Sequence, residues 1–117
     1  MQSVQEALIK LSKSKFRSSF KLSQKDIDYI NAKGIDTIKE HAKAIIASRL
    51  APAYIENDGR QTPTKNHPVF IAQHACACCC RSCLYKWYKV KKGVELTPMQ
   101  QEKIVTLLME WIKKQMI

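Results

Sequence analysis

The chain has 117 residues, 45% of them hydrophobic and 26% charged. That is enough for one domain with a modest core, and too ordinary a mixture for a disordered or fibrous protein. Twenty Lys and Arg against ten Asp and Glu give a formal charge of +10, which favours polyanions as partners. No apolar run approaches the roughly 20 residues of a membrane span, so no membrane partner is expected.

Residues 3–13 carry Val4, Ala7, Leu8 and Leu11 at helical spacing. They predict an N-terminal helix that can lie at the periphery of a single domain over residues 1–117. The same segment lacks the apolar core and cleavage site of a signal peptide. A cytoplasmic location with reduced thiols is therefore expected. Residues 12–21 are basic and serine-rich and read as a linker. Ser23 with Asp26 three positions on is an N-cap signal, and Gly34 suits the end of that helix. Asp36 is placed to cap a third helix, with Ile38, Ala42, Ile45 and Ile46 on one face and Pro52 as its stop. His41 on its flank reads as structural, with a spare ligand role as the alternative.

Residues 51–66 hold Pro52, Asn57-Asp58-Gly59, Pro63 and Asn66, and read as a long loop. Asn57, Asp58, Gln61 and Thr62 on it are either contacts at a site or plain turn chemistry. Pro68 suits the first turn of a helix running through His74. Another helical piece follows Cys83 and is closed by Lys91-Lys92-Gly93, with a short hairpin near residues 90–96 as an alternative. Thr97-Pro98 with Gln100 starts the last helix, whose stripe is Ile104, Leu107, Leu108, Trp111 and Ile112. The fold class is mainly α: a compact bundle of about five helices around a Cys/His-rich central segment.

That segment carries all five cysteines, Cys76, Cys78, Cys79, Cys80 and Cys83, just after His67 and His74. Two readings compete. In one continuous helix, Cys76, Cys79, Cys80 and Cys83 share a face and pack as small hydrophobes, with no metal. In the other they hold an ion, zinc before an iron–sulfur centre. A straight helix separates positions 76 and 83 by about 10 Å of rise, too far for one zinc. Cys80-x-x-Cys83 at a helix start can share one, with His67 and His74 as nitrogen donors. A nucleophilic cysteine would need a lowered pKa and a base, and no known signature is present.

Two stretches are basic and free of acids: residues 10–25, and residues 81–92 with Arg81, Lys86, Lys89, Lys91 and Lys92. In the second, Tyr85, Trp87 and Tyr88 interleave with the cations, a pattern for stacking bases and holding phosphates. The alternative is that these aromatics are core, Trp87 above all. Three functions follow: a zinc-binding, nucleic-acid-associated module; a metal- or thiol-dependent enzyme on nucleic acid or nucleotide, with Asp58 or Glu56 as general base; or an accessory factor for an acidic protein partner.

The runs Asn57-Asp-Gly-Arg-Gln-Thr-Pro63, His67-Pro-Val-Phe-Ile-Ala-Gln-His-Ala75 and Cys79-Cys-Arg-Ser-Cys-Leu-Tyr-Lys-Trp87 resemble a family of small bacterial and phage proteins catalogued as a domain of unknown function. The likeness runs from about Phe16 to the C-terminus. It implies no activity. It implies that Cys76 and Cys78 are incidental and that His67, His74, Cys79 or Cys80, and Cys83 form the working group. Tyr88 stands where the family often shows histidine; if that histidine contributes to a site, this chain has lost it.

Overall fold

Most helix starts in this chain are capped by partners three residues apart. The computed structural model describes residues 3–117, so residues 1 and 2 of the expected 1–117 domain lie outside the described residues. There are six α-helices, and no strand occurs among the described residues: α1 Val4–Ser12, α2 Gln24–Lys33, α3 Ile35–Arg49, α4 Pro68–Ala75, α5 Arg81–Tyr88 and α6 Pro98–Gln115. The fold is mainly α, as the periodicity indicates. The hairpin near residues 90–96 does not form. Leu96 instead donates its amide to the Ala51 carbonyl at 2.9 Å, tying two loops together.

Ser23 and Asp26 form a reciprocal capping box on α2, and Thr97 and Gln100 do the same on α6. The third helix is not capped by Asp36. Gly34, with φ of 91°, ends α2 and directly precedes Ile35, so Asp36 lies inside the first turn. The serine-rich linker holds one 3-10 turn, Arg17–Ser19.

α6 is the axis of the fold. α1, α3 and α4 all pack against it, and its Ile104, Leu107, Leu108 and Ile112 are fully buried. Ile38, Ala42 and Ile46 of α3 and Val69 and Ala72 of α4 close the same core. The N-terminal helix is not peripheral: Ala7, Leu8 and Leu11 are buried against the core. The radius of gyration, 13.2 Å, matches the ~13.4 Å expected for a folded chain of this length.

Of the two readings of the cysteines, the continuous helix does not form: α4 breaks after Ala75. Ala77 takes φ of 58°, the Cys78 amide reaches the Gln73 carbonyl (2.8 Å), and the Ala77 amide reaches that of His74 (3.4 Å). This is a Schellman ending with alanine where glycine is usual. An L-residue pays about 1 kcal/mol or more for that backbone. Burial of Cys76, Ala77 and Cys78, each with no exposed surface, offsets it. The chain then turns, and Cys80 becomes the N-cap of α5, accepting from the Cys83 amide at 3.3 Å.

Candidate metal centre and its surroundings

The break sorts the five cysteines into two groups. Cys76 and Cys78 are core residues, and burial pushes both thiols up in pKa. Cys79, Cys80 and Cys83 converge, their sulfurs all within 4.8 Å of one another. Sulfurs on a tetrahedral zinc lie roughly 3.8 Å apart. Three soft donors at this spacing, two of them a Cys-x-x-Cys pair opening a helix, fit such an ion.

Arg17 faces the group from the other end of the chain. It is 8% exposed. One guanidinium nitrogen donates to Cys83 Sγ at 3.2 Å, and the other to the His74 carbonyl at 2.7 Å and Cys79 Sγ at 3.7 Å. Among the described residues no carboxylate pairs with it. A buried guanidinium left without an anion costs several kcal/mol, on the order of 3–5, so its counter-charge is the sulfur cluster. Hydrogen bonding from the Cys79 thiol, then from Cys80 and Arg17, draws Cys83 down to about 5 against the opposing effect of burial. Cys79 is pushed up, because its thiol donates its proton to the Cys83 sulfur and because it is buried. Burial lowers the Arg17 pKa and the two sulfurs raise it, with a net rise.

The histidines do not join the three thiols. His67 is the N-cap of α4: its Nδ1 accepts from the Val69 amide at 3.0 Å, and its Nε2 lies 3.0 Å from His41 Nδ1. His74 stacks on Phe20 at 5.4 Å between ring centroids, and its Nε2 lies 2.9 Å from the Thr62 carbonyl.

The long loop lies back over the cysteine turn. Thr62 Oγ1 and Gln61 Nε2 both donate to the Cys79 carbonyl, at 2.7 and 3.2 Å. Asn57, with φ of 59°, makes the turn, its carbonyl accepting from the Arg60 amide. Asp58 is not placed as a base. Its oxygens accept from the Arg81 amide (2.8 Å), the Ser82 amide (3.2 Å) and the Ser82 hydroxyl (2.7 Å), with Lys92 at 3.9 Å. Burial raises its pKa, but these donors outweigh burial and hold it below the usual carboxylate value. Glu56 is exposed.

Arg81, expected among the surface cations, lies inside the fold. It is 2% exposed, and its guanidinium donates to the carbonyls of Leu50, Ala51, Pro52, Lys91 and Val94. Those carbonyls end α3 or line the loops around it, and the Ala51 carbonyl also takes the Leu96 amide. Tyr88 is also withdrawn from any stacking role: it is buried and donates its hydroxyl to the Cys76 carbonyl at 2.6 Å. Lys86, Lys89, Lys91 and Lys92 are exposed. Sequence reading counted Arg17 only among a run of cations. No local signal marks it, since its partners lie 57 to 66 positions away.

The model of a family described as a domain of unknown function (DUF4186) matches residues 5–113. No solved structure matches the chain.

Proposed function

The chain belongs to the DUF4186 family, and we propose that it is a small basic module that holds one zinc ion through Cys79, Cys80 and Cys83 and associates with nucleic acid. The observation that carries the metal half is the convergence of three sulfurs within 4.8 Å beside a buried cation that has no acid. A divalent ion on three thiolates leaves one net negative charge. The Arg17 guanidinium supplies the matching positive charge and donates hydrogen bonds to two of the sulfurs, as outer-shell partners of metal ligands do. Such an ion would supply rigidity to the turn between α4 and α5. The nucleic-acid half rests on the exposed lysines around α5 and on the net charge of +10.

The enzyme reading is less well supported, because the acid it would use as a base is spent on capping α5. Elemental analysis of protein purified without added metal tests the centre. About one zinc per chain is expected, and Cys83→Ser should lose it. Because Cys83→Ser can also unfold the turn, Arg17→Met offers a second test. It keeps all three ligands, and its zinc affinity, read by chelator competition, should fall roughly 10- to 100-fold. Folded protein without any transition metal would reject the reading, and iron in place of zinc would reject the assignment of the ion.

A further inference from the structure

Arg17 does more than face the thiols. Its guanidinium carbon lies 5.0 Å from the Phe16 ring centroid and 6.0 Å from that of Trp87. This joins the two acid-free basic stretches, 10–25 and 81–92, which are far apart in sequence. On α5, Cys83, Lys86 and Trp87 share a face at i, i+3 and i+4, so Lys86 lies on the side that meets Arg17. Lys13 and Lys15 flank Phe16 and are exposed.

Phe16 stands out from this face, and Tyr85, two positions from both Cys83 and Trp87, stands out from the opposite side of α5. Phe16 is 61% exposed and Tyr85 53%. Single exposed apolar side chains are ordinary, but Phe16 is held in a fixed pose. It meets Phe20 edge-on at 5.2 Å, Phe20 stacks on His74, and Arg17 covers part of its ring. Lys89 Nζ lies 5.8 Å from the Tyr85 ring. Rings fixed among cations, with ring surface left open to solvent, match what an unpaired base needs: a stacking platform beside phosphate-binding charge. A duplex hides its base faces and can engage only the lysines.

We propose that the surface running from Phe16 round α5 to Tyr85 binds single-stranded nucleic acid, with bases stacked on Phe16 and Tyr85 and phosphates held by Lys13, Lys15, Lys86 and Lys89. The proposal rests on the nucleic-acid half of the function above and names the form of the partner and the surface that takes it.

Fluorescence anisotropy with a labelled single-stranded oligothymidylate and a labelled duplex of equal length, at low salt, tests it on zinc-analysed protein. The strand should bind at least ~10-fold more tightly than the duplex. Phe16→Ala and Tyr85→Ala should each weaken strand binding by roughly 5- to 100-fold, the range expected for one stacked base. Both should leave duplex binding, zinc content and melting temperature essentially unchanged, because both side chains are exposed. Phe16→Trp and Tyr85→Trp should retain binding. Lys86→Glu with Lys89→Glu should weaken strand and duplex alike. Equal binding of strand and duplex, untouched by the aromatic variants, would overturn the stacking face while leaving a general nucleic-acid role standing. No binding of either probe by folded, zinc-loaded protein would overturn both.

Discussion

His67 has both ring nitrogens committed, and only the neutral ring can keep both bonds. Nδ1 accepts from the Val69 amide, so the ring proton sits on Nε2 and points to His41 Nδ1. A second proton on His67 would remove the cap of α4. Burial, then the neighbouring His41, holds its pKa below the ordinary 6.5, with Asp26 opposing weakly. The folded state thus prefers the neutral ring. Its contribution to stability is complete above about pH 6.5 and is lost as pH falls through that value toward the lower folded one. The melting temperature should therefore drop between pH 7 and pH 5.5. His67→Asn, which keeps a capping acceptor, should show a shallower drop at equal zinc content. The comparison at equal zinc matters because acid also displaces metal from thiolates. An identical slope in the two proteins would show that His67 does not titrate on unfolding.

At the level of single helices, α5 is the one whose start depends on distant residues. Its N-terminus has Cys80 as cap, and Asp58 from the long loop takes the next two amides and the Ser82 hydroxyl. A carboxylate in that position also meets the positive end of the helix dipole. Asp58→Ala should cost about 1–2 kcal/mol in denaturant unfolding, the scale of a lost cap and its hydrogen bonds, and zinc should stay bound. A larger loss accompanied by zinc release would mean that the loop also holds the thiols in place. The contrast with α2 and α6 explains what can be read from the chain. Ser23–Asp26 and Thr97–Gln100 are partners three residues apart, so their capping boxes are visible in the sequence. Gln73 to Cys78 looks like uninterrupted helix because the left-handed residue is Ala77 rather than glycine. That break, not the residue spacing alone, decides which cysteines meet. The thiol triad was therefore legible as a set of candidates, while the exclusion of His67 and His74 and the entry of Arg17 follow from packing.

Across the whole molecule, two arginines lie inside the fold and neither has a carboxylate within its grip. Arg17 answers sulfur, and Arg81 answers five carbonyls drawn from the end of α3, the loop after it and the segment between α5 and α6. Both were counted as surface charge from the sequence, because an arginine looks the same in a chain whether water or a carbonyl cradle receives it. The cradle has a consequence for how the native state opens. Residues 50–52 and 91–96 contain no helix or strand of their own, and Arg81 together with the Leu96–Ala51 bond ties the two segments to each other. Releasing one segment strands the guanidinium and so releases the other. Under native conditions the amides of Leu96 and Ala51 should therefore exchange their hydrogens with a single shared opening free energy, as one cooperative unit. Arg81→Lys, which lacks the fork, should speed both together while helix α1 keeps its own protection. Two distinct opening energies would mean that each segment is ordered separately and the arginine only fills space between them.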